Sequence, residues 1–253
     1  MYRGLPTQRS CARAWVEACL SIIGTRDQGY NVVIDVADPV NHDEKDNEII
    51  NLVDQFLREY DQNPVVTVAN TIFPQSLYED YGAAGMIPVY RSDFDKFSRD
   101  AKKNWGQYFD RLTRFNDPKD GIINPLQELI DKLKGNEERN TIYKSAYELS
   151  IYNPSTDRKP HYGGPCLSYL SFKRHPEEGL LLTAAYRNHF YVSRLLGNLI
   201  GLGQLQDFVA KESGVPRGSL TVVSTHAEMD TDGGWVIAKA RKLAQDASRI
   251  LRS

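Results

Sequence analysis

Cysteine is scarce in this chain. The three present, Cys11, Cys19 and Cys166, are odd in number and show no CxxC spacing. That argues against a disulfide framework and a zinc site, and for a reducing, cytoplasmic setting. No apolar run approaches the roughly 18–20 residues of a membrane span, so no membrane partner is expected. The opening Met1-Tyr-Arg-Gly-Leu-Pro lacks the apolar core of a signal peptide. Neither sign of charge is in excess, since 31 Lys+Arg against 33 Asp+Glu leave a net charge of −2. A surface so balanced carries no electrostatic footprint for nucleic acid or an anionic membrane. Repeats, long linkers and low-complexity tracts are lacking too, so one domain over residues 1–253 is expected. The 41% hydrophobic and 25% charged composition is that of a soluble globular protein.

The periodicities present alternate between helix and strand. Residues 11–23 place Trp15, Ala18, Cys19 and Ile22 on one helical face, with Gly24 as a stop. NVVIDV (31–36) and VVTV (65–68) are short and β-branched, which predicts strands. Residues 46–60 have helical spacing, 93–115 read as charged helix, and NDPKDG (116–121) as a turn. Residues 122–134 predict a helix with Ile122, Leu126, Leu129, Ile130 and Leu133 inward, closed by Gly135. TIYKSAYELSIY (141–152) favours strand. The segments 166–174 and 179–190 flank the turn HPEE and predict a hairpin. A long apolar helix is expected over 191–213, a strand over 219–230 and a last helix over 234–252. Together these predict an α/β or α+β fold.

Chemistry concentrates in the second half. Cys166 follows Gly164-Pro165 at the edge of a predicted strand, where a thiol can face a cleft. Cys11 and Cys19 sit on a helix face that reads as core. Arg187 and His189 end the paired strand and can return close to Cys166. A neighbouring cation lowers a thiol's pKa and activates it. His189 reads either as a base or as a satisfied structural histidine. GNLIGLG (197–203) lies inside a helical pattern, so its glycines indicate close helix packing and not a dinucleotide loop. Gly4 and the Arg26–Gly29 stretch form a weak candidate anion loop.

These features, in this order, resemble the thymidylate synthase family over residues 124–230. Asn124-Pro-Leu-Gln-Glu-Leu-Ile and Ser145-Ala146-Tyr147 are similar to the family's helix and its following strand. Gly164-Pro165-Cys166 resembles the Pro-Cys of the nucleophile, and Tyr186-Arg187-Asn188 the Gln-Arg-Ser that holds phosphate. Asn198 falls where the family reads the pyrimidine edge, and Trp105-Gly106 resembles the Tyr-Gly before the dimer-swapped segment. The resemblance implies a mixed sheet flanked by helices, a homodimer and a pyrimidine nucleoside monophosphate substrate. It also implies C5 methyl or hydroxymethyl transfer through a Cys166 adduct at C6, with 5,10-methylenetetrahydrofolate as donor. Arg139 is the candidate arginine lent to a partner subunit, and Arg26 the candidate for an N-terminal phosphate loop.

The departures from the family pattern are equally specific. Leu52 stands where the family has a catalytic glutamate, with Asp54 on another helical face. Arg187-Asn188-His189-Phe190 lacks the family's aspartate. Glu228 and Asp230 replace its sugar-binding histidine and tyrosine, and strand alternation puts both on His226's face. Two carboxylates suit a ribose diol, so a ribonucleotide is expected to bind better than dUMP. The chain ends at Ser253 without the tail that closes over folate in the family. These points argue against ordinary dTMP synthesis and against folate. They leave open folate-independent chemistry on a modified pyrimidine nucleotide, and a non-catalytic nucleotide-binding role.

Overall fold

The computed structural model describes residues 2–98, 107–158 and 164–253. Its frame is a mixed seven-stranded sheet in the order β1-β2-β9-β7-β6-β5, with β8 paired to β9. The strands are β1 (Arg3–Gly4), β2 (Gln28–Val36), β5 (Glu148–Ser150), β6 (Leu167–His175), β7 (Gly179–Tyr186), β8 (His189–Phe190) and β9 (Arg217–Glu228). β6 and β7 form the hairpin expected around HPEE, and β7 runs parallel to β9. A separate two-stranded hairpin, β3 (Phe115–Asp117) and β4 (Gly121–Ile123), holds the NDPKDG turn. A mixed sheet flanked by helices is therefore present, as the sequence led us to expect.

Alternation divides the sheet's two faces. Val32, Ile34, Val36, Leu220, Val222, Leu180, Leu182, Ala184, Leu170 and Phe172 are buried beneath helices. Val33, Val223, Ala185 and Tyr169 lie in one cross-strand row on the other face. None of those four is fully buried.

The helices are α1 (Cys11–Ile22), α2 (Glu44–Glu59), α3 (Val65–Asn70), α4 (Gln75–Ser98), α5 (Tyr108–Thr113), α6 (Pro125–Glu138), α7 (Pro154–Asp157), α8 (Leu195–Ser213) and α9 (Ile237–Arg252). α4 is two helices joined at Gly82, whose φ of 64° breaks the helical path. Among the described residues no helix is long and apolar enough to cross a membrane.

Several expectations are corrected. VVTV is not a strand but most of α3. Pro64 is its N-cap residue, and the Asp54 carboxylate accepts from the Val65 amide at 2.7 Å. Gly135 does not stop α6, which continues to Glu138. Asn124 caps its start, leaving Ile122 exposed in β4. Of 141–152 only Glu148–Ser150 is strand; Ile142 and Tyr143 point to solvent and pair with no strand among the described residues.

α8 is apolar around most of its circumference, and other elements surround it: α3, α6 and α1 as well as strands β7 and β9. The glycines of GNLIGLG let α3 and the loop before α2 approach. A Cβ on Gly197 would sit 2.7 Å from the Val65 carbonyl oxygen. On Gly201 it would sit 2.6 Å from that of Ala69, and on Gly203 2.5 Å from that of Pro39. This close packing brings Val68 and Thr71 to the first turn of α8. Gln206 ties the helix to the sheet, its buried Nε2 donating to the carbonyls of Leu180 (2.7 Å), Ser219 (2.9 Å) and Gly218 (3.2 Å). Gln206→Leu removes all three bonds, of which the one to Leu180 is fully buried. Urea denaturation should show a loss of about 2–3 kcal/mol, and a loss under about 0.5 kcal/mol would count against this bracing.

Candidate functional site

The backbone pairing of β6 with β7 assembles the site. Leu167 pairs with Tyr186, and one step further the Arg187 amide donates to the Cys166 carbonyl at 2.9 Å. Cys166 and Arg187 are therefore cross-strand neighbours, and the Arg187 guanidinium is near enough to favour the thiolate. Gly164 has φ +81°, and a Cβ there would lie 3.4 Å from an Arg187 terminal nitrogen. Thr225 of β9 holds the turn from β7 into β8, donating to the carbonyls of Tyr186 (3.1 Å) and Arg187 (2.9 Å).

A cavity of about 360 Å³ opens over this junction, within the range of small-molecule sites. Cys166, Tyr186, Asn188, His189 and Phe190 line it from the sheet. Arg194 and Asn198 line it from α8 and its N-cap, and Val68 and Thr71 from α3 and its C-cap. Gln107 and Tyr108 close the remaining side, where the Tyr108 hydroxyl accepts from the Leu167 amide at 3.3 Å.

The electrostatics differ from the simple expectation for Cys166. Burial pushes its thiol above the ordinary value, and the charges of Arg187 and Arg194 offset that only in part. Burial likewise pushes Tyr108 up to about 12. His189 is 1% exposed. Its ring stacks on Tyr186 at 3.9 Å between centroids, and burial lowers its pKa to about 3, so it is neutral. Nδ1 lies 3.0 Å from Ser224 Oγ and Nε2 3.0 Å from Asn198 Nδ2. Both ring nitrogens are engaged within the fold.

Of the residues singled out in the sequence, Cys166, Asn188, His189 and Asn198 line one cavity, with Arg187 beside them. The other candidates lie elsewhere. Arg139 is exposed at the end of α6, donating to the Gly135 carbonyl at 2.7 Å. Arg26 is exposed in the turn after α1. Its neighbour Asp27 is bound by Arg241, which makes that stretch a poor anion loop. Trp105 lies outside the described residues. Glu228 is half-buried and accepts from Asn188 at 3.4 Å, while the Asn188 carbonyl oxygen meets His226.

Asp230 is a correction. Strand β9 ends at Glu228, so alternation does not carry on to Asp230. Its carboxylate, in a residue 3% exposed, accepts from the Val192 (2.8 Å) and Ser193 (3.2 Å) amides. That capture holds 191–194 in a turn and delays the long helix to Leu195. Asp230 does not line the cavity, and the paired-carboxylate argument for a ribose diol loses one member. Leu52 faces a groove with Ile250 on the α2 surface, and Asp54 caps α3, so neither lines the cavity.

Arg194, Tyr108, Tyr186, Gln107 and Thr71 were missed as site residues. Arg194 was hidden inside a helix expected to start at Tyr191; as N-cap it stands at the mouth of α8. Tyr108 and Gln107 carry no local signal, since only the fold brings them to Cys166.

No family model matches the chain. A curated protein of Methanosarcina mazei, named "Putative thymidylate synthase", is 31% identical over 128 residues. The match covers 51% of this chain and 54% of that protein, so the chain spans about half the length of the relative it matches. The likeness is thymidylate-synthase-like.

The raised thiol generates a prediction. The thiolate fraction is small at neutral pH and grows as pH climbs toward and beyond 9, so alkylation of Cys166 by iodoacetamide should still be accelerating at pH 9. Arg194→Ala removes one stabilising charge and should slow alkylation several-fold at fixed pH. A rate already flat at pH 7 would show a thiolate formed in spite of burial.

Proposed function

We propose that the protein is a pyrimidine-nucleotide C5 one-carbon transferase working through a Cys166 adduct at C6 of a uracil-type ring. The observation that carries this reading is that Cys166, just before β6, and Asn198 of α8 line one cavity, with Arg187, just after β7, beside Cys166. The partial likeness to a thymidylate synthase supports it. Arg187 binds the 5′-phosphate as a charge-assisted fork, and Arg194 adds a second cation at the mouth. The Asn198 amide offers a donor and an acceptor to the N3/C4 edge of the base. The Cys166 thiolate forms the S–C6 bond and the C5–C6 π electrons pass toward the C4 oxygen, leaving C5 nucleophilic. C5 then attacks a one-carbon electrophile. Loss of the C5 proton expels the donor's carrier and leaves an exocyclic methylene; addition there of water, for hydroxymethyl, or of a hydride from the carrier, for methyl, expels the thiolate and restores the ring and the enzyme. 5,10-Methylenetetrahydrofolate enters as a candidate co-substrate.

One observation favours a second reading. None of the described cavity-lining residues is a carboxylate. A site without one suits a folate-independent use of the same adduct, in which C6 addition activates C5 for exchange or loss of a substituent.

Incubation with a uridine or deoxyuridine monophosphate carrying a halogen at C5 should give a covalent adduct by intact mass. Cys166→Ser should abolish it with little loss of stability, because a hydroxyl is a far weaker nucleophile of similar volume. Arg187→Ala should weaken nucleotide binding about tenfold or more. No adduct in the wild type would leave a non-catalytic role. With an adduct in hand, product formation that requires methylenetetrahydrofolate selects the first reading, and release of the substituent without it the second.

The same reading includes a homodimer. The Val33–Val223–Ala185–Tyr169 row gives a sheet face on which a second copy packs, sheet on sheet. Sedimentation at micromolar concentration should give the dimer mass. A monodisperse monomer would reject the dimer and leave Arg139 without a site to reach.

A further inference from the structure

Arginines half withdrawn from water are paired over much of this fold. Arg13, Arg111, Arg174 and Arg217 each grip a carboxylate, of Asp43, Asp157, Glu137 and Asp207. Arg194 is half-buried too and lines the cavity, yet no carboxylate among the described residues meets it. A guanidinium in that state gains from an anion, and its open side is the cavity.

Two relations fix where Arg194 stands. It lies one turn before Asn198, whose backbone amide donates to the Arg194 carbonyl at 2.9 Å, so the two side chains share one face of the helix start. Its charge also acts on the Cys166 sulfur and the Tyr108 hydroxyl. Around a uracil ring the order is N1, C6, C5, C4, N3. With Cys166 at C6 and Asn198 at the C4 edge, a side chain next to both faces C5. Arg187, beside Cys166 on the sheet, is left for the phosphate that hangs from N1 through the sugar.

We propose that Arg194 is a carboxylate-binding residue facing C5, and that the substrate is a pyrimidine nucleotide carrying a carboxylate at C5, which the protein releases as carbon dioxide. This rests on the nucleotide reading above and names the substrate class of its folate-independent form. A carboxylate matches the planar guanidinium fork, and it is a group that an adduct at C6 can detach. The Cys166 sulfur bonds to C6, and the proton it gives up goes to C5 in place of the double bond. The carboxylate then stands β to the C4 carbonyl. The bond from C5 to the carboxylate breaks, carbon dioxide leaves, and the electron pair passes to the C4 oxygen as an enolate. The enolate re-forms C5=C6 and expels the thiolate, which takes a proton from water. In sum a carboxylate and a proton give C5–H and carbon dioxide, with no oxidant, reductant or folate.

Calorimetry on Cys166→Ser, which cannot turn the ligand over, tests the subsite, with Arg194→Gln or Arg194→Lys added to it. The probes are uridine 5′-monophosphate and its 5-carboxy derivative, with the deoxyribose pair alongside. Cys166→Ser should bind the carboxylated member about tenfold or more tighter. Arg194→Gln should erase that preference and leave the other Kd nearly unchanged. Arg194→Lys keeps the charge and loses the fork, so an intermediate preference is expected, and it decides the matter if the glutamine variant does not fold. Wild type given the nucleotide labelled in its carboxyl carbon should release labelled carbon dioxide without folate, and in D2O the product should carry deuterium at C5. Equal binding of the two members, or a preference that survives Arg194→Gln, would overturn the subsite. Preference without carbon dioxide would overturn the reaction. If Arg194 instead strengthens binding of methylenetetrahydrofolate and not of the C5 carboxylate, the anion belongs to a second reactant and the assignment falls. Binding of no nucleotide would sink the nucleotide reading and the subsite with it.

Discussion

Everything at the site depends on one antiparallel register. Because Leu167 lies opposite Tyr186, the residue before one and the residue after the other, Cys166 and Arg187, meet across the pair. A slip of one residue would turn every side chain of one strand to the other face. The buried Leu170, Phe172, Leu180, Leu182 and Ala184 set that register through their burial under the helices. The core thus fixes Cys166 opposite Arg187, and the turn after β7 then delivers Asn188 and His189 to the cavity beside them.

Two opposing terms meet at Cys166. Guanidinium groups at hand favour a thiolate, while a wall of Tyr108, Tyr186 and Val68 withholds the water a thiolate wants. Withheld water wins, so the resting form is the thiol. A sulfur that stays protonated is shielded from oxidants that attack thiolates. Any anion placed beside Arg187 would draw on the same charge and oppose thiol ionisation.

The sequence was legible where the pattern was long or its end marked. α1, α2, α8 and the β6–β7 hairpin carry enough apolar positions for their period to show, and Gly214 ends α8 in a left-handed conformation. It was less legible where a distant contact decides. VVTV has the composition of a strand, yet a carboxylate on another helix and a preceding proline make it helix. Asp230 was assigned a sugar because the strand was extended two residues too far. The cavity's Cys166, Asn188, His189 and Asn198 could be picked out because they cluster near one hairpin and one helix start. Arg194 could not, because the turn that exposes it is made by Asp230, far along the chain. Tyr108 comes from an element whose neighbours in sequence say nothing about where it packs.

The burial of α8 has a further consequence, for motion. A helix with sheet beneath it and helices around it has few amide hydrogens within reach of water, and its opening requires much of the core to part. Asn198 sits in the first turn of this helix, and its side chain is pinned through His189 to Ser224 in the central strand β9. The amide that faces the cavity is thus mounted on one of the slowest-exchanging parts of the molecule. Asn188 hangs instead on a short turn beside half-exposed His226 and Glu228. One wall of the cavity keeps time with global unfolding, and the other with a surface loop.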